Sequence, residues 1–542
     1  MTEECEICFT PAPDWQADSL EGHIREVHVN DEASVRAIYG GRFGHVFDAS
    51  GEAPADAAAD DGHEDEDDGV VPGGTTDIPV GDDAADDDEL YGRKWYAIGV
   101  GGAGNNIIDA ILMRRDTLLR NDEDRARIWR GGLAGYGILN TNIAELEQTY
   151  YARELKEYSR NDLLSNAIIG MGEHGYSGMG YRWSNGAEVA ATDFEDAGNP
   201  FRDRWDIKQQ DVRDAQAIML AHSVTKGTGC GSTPVIVDRL RDEVLNDDGV
   251  IGKAVLSTVV IPSEGGKQSD IGGRAKSNGV VGLARLSQSV DAVIPFNNDH
   301  LRRASTDITP RIDALEEYNP PEYADLNKPL VAFLEAFTMS STPQFVDRDA
   351  TMTVRGSVFD VADSFRLVED KYPSEMDTDE QPAVVLAPAL GRLHSEEISR
   401  SNLELLARNT LLQNRLADFD PSTAWGGNFM IYGPAEKMER VSSFVNDGTV
   451  QRILNGEEFL DSTESQSVES IDVQLNQIVI PYLDDVFMWG TLWNPRMPAL
   501  EEMYEHTRQL KEEGGTRQAE NLRETWDDVE KLFSCLGREN LL

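Results

Sequence analysis

Residues 224–235 read V-T-K-G-T-G-C-G-S-T-P-V, with Gly227, Gly229 and Gly231 at alternate positions. Thr228 and Cys230 fall between them, and Lys226 stands directly ahead. Glycine at this density marks backbone that approaches another group closely or takes positive φ. A second run, G-V-G-G-A-G over 99–104, contributes Gly101, Gly102, Ala103 and Gly104, followed by Asn105 and Asn106. Backbone N–H groups converging at such turns suit an anion, above all where a helix N-terminus adds positive potential. The helix after the first run is expected to begin near Pro234, with the hydroxyls of Thr228 and Ser232 available beside it.

A different chemistry opens the chain. Cys5-x2-Cys8 is followed, after fourteen residues, by His23-x4-His28. Two thiolates and two imidazoles satisfy tetrahedral zinc, and a segment this small needs metal to fold. The spacing is near that of C2H2 zinc fingers, with Leu20 three residues before the first histidine. Asp18, Glu21 and Glu26 outweigh the lone Arg25 on the expected helix, so a protein partner is expected and DNA is not.

The elements that must position these groups separate by composition. Residues 1–50 form the head, and 51–90, rich in Ala, Asp, Glu, Gly and Pro, read as a self-repelling acidic linker. From Tyr91 the pattern is globular. KWYAIGV (94–100), YGILNT (136–141), DAQAIMLAHS (214–223), KAVLSTVVIP (253–262) and VDAVIPF (290–296) read as buried strands alternating with helical stretches. That alternation predicts an α/β fold with a doubly wound, mainly parallel sheet over 91–370. Strands at 381–391, 428–434 and 473–483, with terminal helices, predict a smaller C-terminal α/β domain over 371–542. Trp526, Val529, Phe533 and Leu536 form one apolar stripe, expected to dock on the body.

Lys+Arg total 49 against 98 Asp+Glu, a formal charge of −49. The acids are spread along the chain as well as clustered, which favours a halophile's solvated surface over an acidic interaction tail. The start, MTEECEICF, lacks the basic flank and apolar run of a secretory signal. The longest apolar stretches are too short to span a bilayer. The chain therefore reads as soluble and cytoplasmic, without a transmembrane segment.

Gly99, Gly101 and Gly104 fit a dinucleotide fingerprint, but the next strand ends in Asn140-Thr141-Asn142, without the ribose carboxylate that an NAD-dependent oxidoreductase requires. A Walker P-loop is excluded, because Lys226 precedes the glycines instead of following them. The two glycine runs in this order resemble the tubulin/FtsZ superfamily of GTPases. GVGGAGNN (99–106) is similar to its first phosphate loop, LNTN (139–142) to the second with Asn142 replacing an acid, and GMGYRWSNGAEV (178–189), with Gly180, to the third. K-G-T-G-C-G (226–231) is similar to the signature G-G-G-T-G-T/S-G, with Thr225 and Lys226 in place of its first two glycines.

The resemblance implies GTP with magnesium, held by Gly101, Gly102, Ala103, Gly104, Asn106, Gly180, Lys226, Gly227, Thr228, Gly229, Cys230 and Gly231. IPFNNDHL (294–301) implies Asn298 as a guanine contact, and EYADLN (322–327) implies Tyr323 stacking on the base and Asn327 on its edge. Glu264 resembles the ribose-binding acid. FDVADSFRLV (359–368) resembles the acidic loop that one subunit inserts against the next subunit's nucleotide, making Asp360 and Asp363 the candidate catalytic pair. They lie three apart, on one face if a helix begins there. The superfamily includes FtsZ in division and archaeal CetZ proteins in cell shape, so the resemblance implies self-association into head-to-tail filaments. A GTP-sensing scaffold that neither polymerises nor hydrolyses is the alternative.

Overall fold

The computed structural model describes residues 94–536 except 156–169, 173–177, 197–199, 204, 206, 246–252, 262–272, 305–307, 355, 367, 369–371, 373–380, 395–397, 455–470 and 513–516. The chain divides into units Met1–Asp82 and Asp83–Leu542, and all described residues fall in the second. The expected zinc head and acidic linker lie outside the described residues.

Five parallel strands carry the fold: β1 (Trp95–Val100), β2 (Leu133–Leu139), β3 (Ala217–Ser223), β4 (Ala254–Ile261) and β5 (Ala292–Asn297), in the order β2-β1-β3-β4-β5. Each is an almost continuous apolar run, and β1, β3 and β5 are buried along their whole length. Strands covered on both faces need this composition, because neither side meets water. Helices α1 (Gly101–Asn121), α2 (Glu123–Gly132), α3 (Trp183–Asp196), α4 (Gly227–Leu240), α5 (Gly273–Ser287), α6 (Asn298–Arg303) and α7 (Pro321–Ser341) connect and flank the strands. The expected α/β architecture with a mostly parallel sheet is what forms.

The later strands extend the same sheet. β6 (Val384–Leu393) pairs parallel to β5 through Ala292 with Val384 and Val293 with Val385. β9 (Val486–Trp493) lies antiparallel between β6 and β7 (Gly426–Gly433), and β8 (Asp472–Val479) closes the edge parallel to β7. The three expected strands are present. β9, FMWGTLW at its core, carries too little alternation to have been read as one.

Apolar layers fill both faces of the sheet. Helix α7 is fixed at the centre of one layer by aromatic contacts, Phe337 meeting Trp489 at 5.1 Å and Phe333 meeting Phe296 at 5.8 Å. Two indoles add polar anchors, with Trp95 Nε1 donating to Thr338 Oγ1 and Trp489 Nε1 to Ser340 Oγ. The terminal stripe docks as expected: Trp526, Val529, Phe533 and Leu536 are buried, with Tyr504 stacked on Phe533 at 4.7 Å.

One local expectation changes. α4 begins at Gly227, not near Pro234, so the glycine run is the helix's first turns. The reason is packing against α3: a Cβ on Gly231 would stand 1.9 Å from the Trp183 carbonyl oxygen. Close helix contact outweighs the entropy that glycine loses in a helix.

Candidate functional site

The site is built at the carboxyl ends of the parallel strands, where open α/β sheets bind ligands. α1 starts directly after β1 and α4 directly after the turn that follows β3, and neither N-cap, Val100 or Lys226, caps its helix with a side chain. The first-turn N–H groups of both helices are therefore left for another acceptor. The two ends meet. Gly101 has φ 72°, and a Cβ there would lie 3.2 Å from the Gly229 nitrogen. The loop after β2 joins them through Thr141, whose hydroxyl oxygen is 2.7 Å from that of Thr228.

A cleft of about 240 Å³ opens over these helix ends, and Gly102, Ala103, Asn106, Lys226, Asn298, Tyr323 and Asn327 line it. These residues come from segments more than two hundred positions apart. Asn297 Oδ1 accepts the N–H groups of Asp299 and His300, capping α6 and leaving its neighbour Asn298 to line the cleft. Asn327 Nδ2 donates to Asn319 Oδ1 at 2.9 Å and to the Asn106 carbonyl at 3.5 Å, which fixes its amide at the wall. Tyr323 lies one helical turn earlier on α7, partly buried. The cleft is thus graded: amides and an aromatic ring at one end, helix N-termini with the exposed Lys226 at the other.

The remaining expected residues have other settings. Gly104 is where α1 crosses β3, since a Cβ there would reach 1.9 Å from the Ala221 oxygen. Cys230 donates its thiol to the Asn278 carbonyl at 3.2 Å, and burial pushes that thiol up to about 12. Ser232 spends its hydroxyl on the Gly186 carbonyl at 2.9 Å and is fully buried, so it is not available to a ligand. Gly104, Cys230 and Gly231 therefore shape the loops by packing and do not line the cleft. Gly227, Thr228 and Gly229 form the first turn of α4. Gly180 has φ 55° within a left-handed stretch that includes Gly178 and Tyr181. Glu264 lies outside the described residues, as do Cys5, Cys8, His23 and His28. Among the described residues, no group of three or more His, Cys, Asp or Glu is placed to hold a metal ion.

Sequence reasoning missed Glu145. Its carboxylate lines the cleft, accepts from Asn140 Nδ2 at 2.8 Å, and stands 2.9 Å from where a Gly102 Cβ would be. An acid three residues beyond Asn142, in the short helix Ile143–Leu146 that Asn142 opens, was the available clue. Asn105, 1% exposed, also lines the cleft. Beneath the signature lies His222, fully buried, with its Cβ 3.0 Å from a Cβ built on Gly229. Burial pushes its imidazole down to about 4.

Asp360 and Asp363 sit at the opposite end of the sheet. Asp360 lines a second cavity with Lys94, Ala217 and Ala254, which mark the amino ends of β1, β3 and β4. Its Oδ1 accepts the Ala362 N–H at 3.0 Å, and Asp363 opens a helical turn, Asp363–Arg366. Lys94 is 5% exposed; burial lowers its pKa, and the charge of Asp360 pulls it back. The six residues of β1 separate this cavity from the cleft by about 20 Å at roughly 3.3 Å per residue. One molecule cannot bring both acids to its own cleft.

The structure is similar to CetZ2 from Haloferax volcanii as a GTPγS-bound protofilament, at 17% identity and TM-score 0.49, covering 77% of this chain and 98% of that one. It is also similar to GDP-bound monomeric CetZ1 from Haloferax volcanii (16%, TM-score 0.49, 77% and 99% covered). TubZ from Bacillus thuringiensis serovar israelensis, in a GTPγS-form protofilament, matches at 14% and TM-score 0.46, with 80% and 94% covered. Among the described residues no helix is long and apolar enough to cross a membrane. Residues 94–306 match the Tubulin/FtsZ family, GTPase domain.

Proposed function

We propose that this chain binds GTP in the graded cleft and associates head to tail, so that Asp360 and Asp363 of one protomer face the phosphates held by the next. The observation that carries the reading is the convergence of Asn106, Asn298, Tyr323 and Asn327 with two uncapped helix N-termini in one cleft, while the acids lie at the far end of the sheet. Asparagine amides offer both a donor and an acceptor, which matches the edge of guanine. Tyr323 supplies stacking. The N–H groups of Gly102, Ala103, Gly227 and Thr228 take the phosphate oxygens, and Lys226 adds a cation beside them. Glu145 is the carboxylate that would approach a magnesium ion, whose chemistry is to neutralise phosphate charge. Asp360 and Asp363 would orient the attacking water from the neighbouring protomer, since phosphoryl transfer depends on positioning and charge control.

Lys226 and Asn142 support a second reading, a GTP-binding scaffold without efficient turnover, because each alters the charge around the phosphates. Calorimetry with GTP, sedimentation with GTP and GDP, and turnover of Asp360→Ala together test both. Absence of guanine-nucleotide binding sinks the proposal. Binding without sedimentation or turnover selects the scaffold. Retained turnover in Asp360→Ala and Asp363→Ala removes their catalytic role. For the head, Cys5, Cys8, His23 and His28 remain proposed zinc ligands serving a protein partner, and metal analysis of the full chain against Cys5→Ser/Cys8→Ser tests the pair.

A further inference from the structure

A third cavity, of about 230 Å³, shares no lining residue with the nucleotide cleft. It lies between α1, α2, α7 and the strands β6, β7 and β9. In a chain with twice as many acids as bases, its lining has the reverse balance: Arg114, Arg125, Arg311 and Arg392 against Glu335. The Arg311 side chain is 74% exposed, but bringing the Arg114, Arg125 and Arg392 guanidinium groups to one space costs free energy through mutual repulsion unless an anion offsets it.

Glu335 offsets part of that charge. Its Oε2 accepts from Arg114 Nε at 2.8 Å and from Trp129 Nε1 at 3.3 Å, and its Oε1 accepts from Arg114 at 3.1 Å and Arg125 at 3.0 Å. Burial alone would raise this carboxyl, but Arg114 and Arg125 outweigh it and hold it down at about 2. The other two arginines are braced from outside the lining. Arg311 is 2.8 Å from Asp313, and Arg392 is 2.6 Å from Asp485 while lying over the Phe487 ring at 5.2 Å. Arg114 also donates to the Arg311 carbonyl at 3.0 Å, which ties the two walls together. Arg125 Nε is buried with no hydrogen-bond partner among the described residues. The rest of the lining is largely apolar, including Ile308, Met339, Leu390 and Leu483, with the Tyr432 ring.

We propose that this cavity is a binding site for a small organic anion, a phosphate ester or carboxylate on a compact apolar body, held by Arg125 and Arg392 with Phe487 and Leu483 against its body. Guanidinium forks recognise planar or tetrahedral oxyanions by paired hydrogen bonds. The apolar wall favours an ester with an apolar body over inorganic phosphate, because only the ester buries apolar surface against it. The site is distinct from the nucleotide cleft: Asn327 and Glu335 lie on one helix, about 12 Å apart at roughly 1.5 Å per residue.

The test is calorimetric titration of the full chain, saturated with GTP, with phenyl phosphate, inorganic phosphate and benzyl alcohol as probes. Phenyl phosphate is expected to bind saturably at one site, at least about tenfold more tightly than either fragment. Arg125→Gln should weaken it by about tenfold or more, with Arg125→Lys intermediate, because a lysine keeps the charge and loses the fork. Thermal melts check each variant, and Arg392→Gln serves if Arg125→Gln does not fold. No saturable binding of phenyl phosphate overturns the proposal. So does binding that both folded variants leave unchanged, or binding that GTP abolishes, which would place the probe in the nucleotide cleft.

Discussion

The hydroxyl oxygens of Thr141 and Thr228 lie 2.7 Å apart, joining the loop after β2 to the first turn of α4. Thr141 is fully buried and Thr228 nearly so. Thr228→Val would leave the Thr141 hydroxyl without its partner, at a cost of about 1–3 kcal/mol. The expected result is a lower melting temperature and a roughly tenfold weaker affinity for GTP. The double variant Thr141→Val/Thr228→Val should recover much of the stability and none of the affinity, which calorimetry and thermal melts separate.

Asn327 is held by Asn319 and the Asn106 carbonyl at the amide end of the cleft. Asn327→Leu keeps the volume and removes the hydrogen bonds. Affinity for GTP should fall about tenfold or more, as expected when a buried polar contact goes unmade. Inosine triphosphate, which lacks the exocyclic amine, should be bound about equally by wild type and variant. Unchanged discrimination between the two nucleotides would remove Asn327 from base recognition.

Lys226 stands at the N-cap of α4 and lines the cleft, exposed to solvent. An exposed cation beside phosphates contributes on the order of 1 kcal/mol at low salt. Lys226→Gly should weaken GTP about fivefold with magnesium present, and by more when a chelator removes it. If the magnesium dependence does not steepen, the side chain is not acting on the phosphates.

His222 and Asp109 set opposing pH trends. Burial lowers the imidazole from 6.5 to about 4, so the folded state resists its protonation, and stability from this group is lost as pH falls from about 6.5 to 4. Asp109, which accepts the Tyr150 and Tyr151 N–H groups, is pushed by burial from 3.8 up to about 7, so its contribution is present at low pH and lost as pH rises to 7. His222→Leu removes the first trend. Relative to wild type, the variant should gain about 3 kcal/mol on going from pH 7 to pH 4. Denaturant unfolding at several pH values measures that difference, and parallel curves would contradict it.

Much of the site was legible because a loop's backbone requirements are written in adjacent residues. GVGGAGNN and K-G-T-G-C-G announce uncapped helix starts after strands, and Tyr323 and Asn327 fall one turn apart on a helix that can present both. Glu145 had one clue in the sequence, an acid three residues beyond Asn142, but its place in the cleft depends on where α1 begins, which its neighbours do not reveal. The arginine cavity was invisible for the same reason, as Arg114, Arg125, Arg311 and Arg392 are spread over nearly three hundred positions.

What the amino-acid order determined by itself was local: five buried apolar strands, the helices between them, and two glycine-rich turns after strands. Apolar runs and glycine spacing act over a few residues, so no partner is needed to read them. The tertiary structure decided which glycines pack and which line the cleft, because Gly104 and Gly231 are explained by Ala221 and Trp183, far along the chain. It also decided that Asp360 and the cleft occupy opposite ends of one sheet. Strand direction fixes those ends, and the parallel pairing of β1 through β5 makes the separation a property of the fold.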